Sequence, residues 1–180
     1  MIGILLRAVI RLGAIGLSVA WVADEWLRRQ AGGREPAPFA TRIVIDAPIE
    51  RVWAVVSDIE GQPRWMHDMK DVRLEPGTVG VGTRGVATVR ILGLTSKDPV
   101  RVTAFEPPTR FSIEHLGTFT GHGDLTLQPG ADGTTTIVRW DETLIAPALS
   151  YVWAVLAEPL MTGIFQADLR RLRDLVESGG

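Results

Sequence analysis

The sequence predicts an α+β domain in which an antiparallel sheet of about seven strands is followed by one long helix. After Trp65, short runs of alternating apolar and polar residues recur between turns rich in glycine and proline, which is typical of an antiparallel meander. From Leu149 to Val176 the apolar residues recur at helical spacing instead. Residues 1–23 are almost wholly apolar and indicate a further helix before the domain.

The bulk composition limits the classes of function. A chain of 180 residues is long enough for one domain with a sizeable core. It has 19 Lys and Arg against 21 Asp and Glu, and it carries no motif that reads DNA or RNA, so we expect no nucleic-acid partner. It contains no cysteine, which excludes disulfides, thiolate nucleophiles and cysteine-based zinc sites.

The N-terminal segment predicts association with a membrane. Residues 1–23 just reach the roughly 20 apolar residues that a spanning helix needs, so we expect a membrane anchor. Arg7, Arg11, Ser18 and Glu25 fall on one helical stripe, which also permits a helix lying in the membrane interface. Two further interpretations stay open: a cleaved signal of a secreted protein, and a helix packed on the domain of a cytoplasmic one.

The chain divides into three predicted parts. Residues 1–29 form the apolar helix, residues 30–40 are a linker with two glycines and two prolines, and residues 41–178 form the folded domain. The domain opens with a strand over 41–45, which Asp46 and Pro48 end. We expect Asp46 to cap the short amphipathic helix that follows.

The rest of the domain is predicted as strands and a terminal helix. The strands are expected at 72–74, 86–91, 100–105, 110–116, 120–128 and 134–143. A turn is expected at 96–99, and the glycine-rich segment 77–85 is interpreted as a loop at the sheet's rim. In the last helix, Leu156 and Leu160 belong to the apolar face, and Pro159 must kink or split the helix.

Four segments carry a resemblance to a known family. They read IDAPIERVWAVVSDIEGQPRW at 45–65, VTAFEPPTRFSIE at 102–114, GADGTTTIVRWDETL at 130–144 and APALSYVWAVLAEPLMTGIFQADLRRLRDLVE at 146–177. This order resembles the START-like or Bet v 1-like (SRPBCC) superfamily, in particular its polyketide cyclase/dehydrase and lipid-transport branch. The resemblance implies a helix-grip fold, in which a curved sheet holds the C-terminal helix around an apolar cavity.

Strand parity predicts which side chains face that interior. Matching the apolar faces of neighbouring strands turns Phe111, Ile113 and His115 inward beside Leu125, and turns His122 outward. For the next strand, a four-residue turn places Val138, Trp140 and Glu142 inward, with Trp140 opposite Gly123. A five-residue turn would instead place Ile137, Arg139 and Asp141 inward. We favour the first, because it buries a tryptophan and no arginine.

The candidate chemical residues are few. His115 and Glu142 are candidate catalytic groups for proton transfer, although His115 also fits a core histidine bonded to a backbone carbonyl. Three histidines without an HExxH motif predict no metal site, and we expect no cofactor. The candidate ligand-binding residues share an expected inward orientation; they are Trp65, Phe111, Ile113, His115, Leu125, Trp140, Met161 and Phe165.

Function is predicted only to a class. The first hypothesis is binding or transport of a small hydrophobic ligand, lipid-like or aromatic, in an internal cavity close to a membrane. The alternative is an enzyme of the polyketide cyclase or dehydratase kind that uses His115 or Glu142. A third is a partner-binding domain whose cavity is collapsed. We favour a protein without catalytic activity.

Overall fold

A computed structural model describes residues 2–91 and 93–179. It contains seven strands, three α-helices and a short 3₁₀ turn at Gln62–Arg64. The helices are α1 (Ile2–Gln30), α2 (Ile49–Val56) and α3 (Ser150–Glu177). The strands are β1 (Phe39–Ile45), β2 (Met69–Leu74), β3 (Arg84–Ile91), β4 (Leu94–Glu106), β5 (Arg110–Leu116), β6 (Thr120–Pro129) and β7 (Thr136–Ile145).

All seven strands form one antiparallel sheet in the order β1-β7-β6-β5-β4-β3-β2. The first strand pairs with the last, so the meander is completed by β1, and α3 lies against β1 and β7. Leu169, Leu172 and Val176 of α3 are buried together with Val52 and Val56 of α2. The predicted α+β helix-grip architecture is confirmed.

Two local predictions are wrong. Asp46 does not cap α2, because the N-cap position is Pro48 and the Asp46 backbone N–H donates to Glu177 Oε1 at 2.9 Å. The expected turn at 96–99 is part of β4, which pairs with β3 as far as Ile91 and Leu94. Asp-Pro is a turn signal, but here long pairing with β3 outweighs it and turns Asp98 toward the interior.

The strand register agrees with the parity argument in all but one pair. Phe111 lies opposite Leu125 and His115 opposite Gly121, so the faces of β5 and β6 match as predicted. The connection between β6 and β7 spans residues 130–135, two residues longer than expected. A shift by two preserves the face, so Trp140 and Glu142 point inward, but Glu142 rather than Trp140 lies opposite Gly123.

The N-terminal helix is joined to α3 by a shared cap. Leu149 stands at the N-cap position of α3 with φ 53° and gives no side-chain cap. Instead, Asp24 Oδ1 of α1 accepts hydrogen bonds from the backbone N–H groups of Tyr151 (2.8 Å) and Val152 (3.0 Å). The Tyr151 hydroxyl donates to the Arg34 carbonyl at 2.6 Å. The end of α1 and the following linker are therefore fastened to the domain.

The preceding part of α1 projects from the domain. Its large apolar side chains from Val9 to Trp26 are exposed, including Leu12 (69%) and Trp21 (67%). No helix among the described residues is long and apolar enough to cross a membrane. The spanning anchor expected from residues 1–23 is therefore not supported.

Strand β1 begins at Phe39, two residues before the predicted start of the domain. The division of the chain into helix, linker and domain stays a prediction.

Helix α3 is one helix through Pro159, so of the two predicted alternatives, a kink or a split, the split does not occur. Its first half packs more loosely than expected. Leu156 and Leu160 were predicted on the packed face, but both are exposed, as is Val155. The buried positions nearby are Ala157 and Met161, because the sheet covers only that side of the helix.

Candidate functional site

Three ionisable side chains meet on the inner face of the sheet. His115 on β5 lies between Asp98 on β4 and Glu142 on β7. Its Nδ1 is 2.6 Å from Asp98 Oδ2, and its Nε2 is 2.5 Å from Glu142 Oε1. The other Glu142 oxygen accepts a hydrogen bond from Trp140 Nε1 at 2.7 Å. We call Asp98, His115 and Glu142 the inner cluster.

Glycines make room for the inner cluster on and beside the intervening strand β6. A Cβ on Gly123 would lie 2.5 Å from Glu142 Oε2, and one on Gly117 would lie 2.6 Å from Asp98 Oδ1. Gly121, opposite His115, has a φ of +130°, and its Cβ would lie 2.1 Å from the backbone oxygen of Thr143. A side chain at Gly123 or Gly117 would occupy the space in which the carboxylates reach the imidazole, whereas one at Gly121 would meet the backbone of β7.

The surroundings of His115 keep it charged. Its side chain is 12% exposed, and that of Glu142 is 5% exposed. Burial alone would lower the pKa of His115, but the charge of Glu142 and hydrogen bonds to Asp98 and Glu142 outweigh burial and raise it to about 10. At neutral pH the ring is therefore an imidazolium that can donate a proton but cannot accept one. A catalytic role of His115 in proton transfer stays a prediction.

Aromatic side chains fill the interior beside this cluster. The ring centroids of Trp140 and Phe165 are 4.6 Å apart, and those of Trp65 and Trp140 are 6.0 Å apart in an edge-on arrangement. The other candidate ligand-binding residues belong to the same core; they are Phe111, Ile113, Leu125 and Met161. The structure thus brings the predicted residues together, while their own side chains occupy the space where a cavity was expected. Their role in ligand binding stays a prediction.

Two buried indole groups lack a hydrogen-bond acceptor among the described residues. They are Trp65 Nε1 and Trp153 Nε1. Trp65 is fully buried, whereas Trp153 lies in the first turn of α3 with its ring centroid 5.1 Å from that of Phe119. Buried indole N–H groups usually have a partner, so these two donors are unusual.

The outer face of the same strands carries a separate polar network. Arg110 Nε donates to Asp124 Oδ1 at 2.9 Å, and the Ser112 hydroxyl donates to the same oxygen. Burial raises the pKa of Asp124, but the hydrogen bonds from Arg110 and Ser112 outweigh it and hold that pKa below its ordinary value. A cleft of about 550 Å³ lies here; its lining is Glu35, Pro36, Pro38, Arg110, His122, Asp124, Thr126, Asp141 and Thr143.

Asp98 is the member of the inner cluster that sequence reasoning missed. It was interpreted as part of a turn, and only the pairing of β3 with β4 shows its inward position.

Within residues 2–91 and 93–179, no group of three His, Asp or Glu side chains could hold a metal ion. For the inner cluster the reason is geometric: its two carboxylates bind opposite nitrogens of one ring and do not converge on a point.

Comparisons with known proteins agree with the fold. The family described as polyketide cyclase/dehydrase and lipid transport matches residues 36–177. Among solved structures, the Zhui aromatase/cyclase from Streptomyces sp. R1128 is 17% identical with a TM-score of 0.63, covering 78% of this chain and 96% of that one. A START superfamily protein from Mycobacterium smegmatis is 16% identical with a TM-score of 0.63, covering 79% and 98%.

A protein from Thermus thermophilus is similar to the same degree, with 19% identity, a TM-score of 0.63 and coverage of 78% and 97%. A search of curated proteins found no match to this sequence. At these identities the structural neighbours establish the fold alone. The fold is a helix-grip domain, similar to the folds of these neighbours. The chain belongs to the polyketide cyclase/dehydrase and lipid transport family.

Proposed function

We propose that this protein binds or carries a small hydrophobic ligand, lipid-like or aromatic, between the sheet and α3. The observation that carries the proposal is the aromatic cluster in which Phe165 of α3 packs on Trp140 of β7 and Trp140 packs on Trp65, beside the inner cluster. Such a mixture of apolar surface with a few fixed polar groups is typical of ligand sites. The family to which the chain belongs includes lipid transport in its description.

Entry of a ligand requires part of this interior to open. Within α3, the first half is held to the sheet by fewer buried side chains than the second, because Val155, Leu156 and Leu160 are exposed and only Ala157 is buried before Pro159. The second half buries Leu169, Leu172 and Val176 and holds the sheet. A ligand is therefore expected to enter beneath the first half of α3 and to displace aromatic side chains from one another.

Native mass spectrometry of the full chain, purified without detergent, tests this function. We expect a bound small molecule that is released on denaturation. Met161→Trp adds volume to the buried interior and should reduce the bound fraction at least several-fold. Leu156→Trp is the matched control, because the same residue type is added at an exposed position of the same helix. A wild-type protein that carries nothing and takes up no fatty acid or aromatic probe would contradict the proposal.

We further propose that α1 binds a membrane surface. Residues 1–34 contain five arginines and two acidic side chains, a net charge of +3, whereas residues 35–180 carry 14 basic and 19 acidic side chains, −5. Positive charge and exposed apolar surface are combined in one projecting helix, as in helices that bind anionic lipid interfaces. Trp21 and Trp26 lie between the apolar run and Arg28, the arrangement that tryptophans adopt at membrane interfaces.

Flotation of the full chain with vesicles containing phosphatidylserine tests the membrane proposal. The triple variant Leu12→Gln, Ile15→Gln and Val19→Gln changes only exposed side chains and should abolish flotation. The control, Val44→Gln with Val81→Gln, removes exposed apolar side chains elsewhere and should float like the wild type. Substitution is preferable to deletion because it keeps Asp24 in place. Equal flotation of all three proteins would contradict the proposal.

The inner cluster favours a second candidate function, an enzyme of the cyclase or dehydratase kind. A substrate carbonyl or hydroxyl that displaces Asp98 or Glu142 from its ring nitrogen would meet an imidazolium N–H that can give it a proton. His115→Gln and Glu142→Gln should then abolish turnover of a poly-β-ketone substrate while its affinity changes little. His122→Gln, on the outer face, is the control. Unchanged turnover in both inner variants would eliminate the enzyme hypothesis.

A further inference from the structure

The most unusual polar atom of the interior is Trp65 Nε1. The residue is fully buried, and its indole N–H has no acceptor among the described residues. Trp140, whose ring packs edge-on against Trp65, cannot serve as the acceptor, because an indole nitrogen only donates and that of Trp140 already donates to Glu142. An unpaired buried donor is disfavoured relative to the same group in water.

The backbone around Trp65 is fixed from two sides, so this donor has a defined position. The backbone N–H groups of Trp65 and Met66 both donate to the Gln62 carbonyl, at 3.0 and 2.9 Å. The next N–H, of His67, donates to Asp168 Oδ1 on α3 at 3.0 Å. Asp168 is itself buried, where burial raises its pKa. A donor held by its surroundings binds an acceptor at a lower entropic cost than a mobile one.

We propose that the ligand carries an oxygen acceptor, a carbonyl or a ring hydroxyl, that accepts a hydrogen bond from Trp65 Nε1. This inference rests on the proposed binding function and narrows it to oxygenated apolar molecules. A site with a buried polar group rejects an analogue that leaves the group unpaired. A plain hydrocarbon of the same shape should therefore bind more weakly than its ketone, although both bury similar apolar area.

A comparison of two probes and two proteins tests the inference. The probes are 2-acetylnaphthalene and 2-isopropylnaphthalene, which differ mainly by the carbonyl oxygen. The wild-type chain should prefer the ketone by roughly tenfold, the size expected for one hydrogen bond to a buried donor. Trp65→Phe removes the N–H and should abolish this preference. Any change in the volume of the site alters the affinities of both probes alike, so it cancels in the ratio of the two affinities.

Trp53→Phe is the matched control, since Trp53 is partly buried against Phe105 and should leave the preference unchanged. A second measurement serves if Trp65→Phe does not fold. In ¹⁵N-labelled wild-type protein, one indole N–H resonance should move downfield with the ketone and not with the hydrocarbon.

The outcomes separate this inference from the function on which it rests. If both probes bind and the ketone preference survives Trp65→Phe, or no indole resonance responds selectively, the inference is overturned and the binding function stands. If neither probe binds, both are overturned. Loss of the preference in Trp65→Phe alone supports the inference.

Discussion

The two faces of strands β5 to β7 carry polar networks with similar distances and opposite surroundings. On the inner face, His115 lies 2.5 Å from Glu142, and both side chains are nearly buried. On the outer face, Arg110 lies 2.9 Å from Asp124, and Arg139 lies 2.5 Å from Asp141, each with an arginine that is about half exposed. Judged by distance alone, these ion pairs would be expected to contribute equally to stability.

The inner and outer ion pairs differ in burial, and burial determines how much each contributes to stability. Water and salt screen the outer pairs, so each contributes little to stability. The inner pair is poorly screened, and removing one partner leaves an uncompensated buried charge. His122 illustrates the contrast within one residue type, because it is 50% exposed and 3.8 Å from Glu35, whereas His115 bonds at both ring nitrogens. Of these two histidines, His115 is therefore the one whose removal should affect stability more.

The largest expected effect comes from removing the imidazolium. His115→Gln should lower the free energy of unfolding by about 3–5 kcal/mol, because Asp98 and Glu142 lose the positive charge between them. The same substitution on the other face, His122→Gln, should change it by less than about 0.5 kcal/mol. Urea denaturation of both variants measures the difference. Equal effects would show that burial does not distinguish the two faces.

A pH titration should show the inner cluster as a loss of stability in alkali. The pKa of folded His115 is raised from 6.5 to about 10, so its stabilisation is complete below about pH 6.5 and is lost as the pH rises toward 10. Between pH 7 and 9 the free energy of unfolding should fall by about 2–3 kcal/mol, given roughly 1.4 kcal/mol per pH unit for one proton. In His115→Gln this slope should be absent. A wild-type profile that is flat to pH 9 would contradict the raised pKa.

A smaller effect is expected from adding a side chain at Gly123 on β6, where glycine leaves room for Glu142. Gly123→Ala places a methyl group against Glu142 Oε2 and should cost about 2 kcal/mol as the carboxylate shifts away from His115. Gly163→Ala in α3 is the control, because nothing lies within 4 Å of its Cβ and alanine favours the helix. Thermal unfolding compares them, and NMR of the imidazole should show a lower pKa of His115 in Gly123→Ala. An unchanged imidazole titration would mean that Gly123 does not position Glu142.

The smallest effect is expected on the outer face. Asp124→Asn should cost about 1 kcal/mol or less, because Arg110 stays solvated when its partner is neutralised. The loss should shrink further in 0.5 M NaCl, whereas that of Glu142→Gln should not. Thermal unfolding at two salt concentrations measures both. A larger loss for Asp124→Asn than for Glu142→Gln would reverse the ranking of the two faces.

Strand parity, together with the preference for a buried tryptophan over a buried arginine, was enough to predict that His115 and Glu142 lie on the inner face. The period of two is a local property, so an error of two residues in the turn between β6 and β7 left the face of Glu142 unchanged. The same error misplaced Trp140, because the identity of a cross-strand partner depends on the length of the turn. Faces were therefore predictable, whereas individual pairs were not.

Contacts between distant parts of the chain could not be predicted. Asp98 joins the inner cluster only because β4 continues through a segment that has the composition of a turn. Leu156 and Leu160 fit an apolar helical face, yet the sheet does not reach them. The interior is filled by the packed side chains of Trp65, Trp140 and Phe165. The periodicity of the sequence shows which residues face inward but not how closely their side chains pack.

The cap that Asp24 provides gives α1 a mechanical role. A flexible tether would let the domain turn freely about whatever α1 binds. Here Asp24 of α1 accepts hydrogen bonds from two backbone amides of the first turn of α3, and the Tyr151 hydroxyl donates to the linker at Arg34, so three hydrogen bonds tie the end of α1 to the start of α3. A bound α1 would therefore restrict the orientations open to the domain. A force applied to α1 would be transmitted first to the start of α3, the segment that covers the interior.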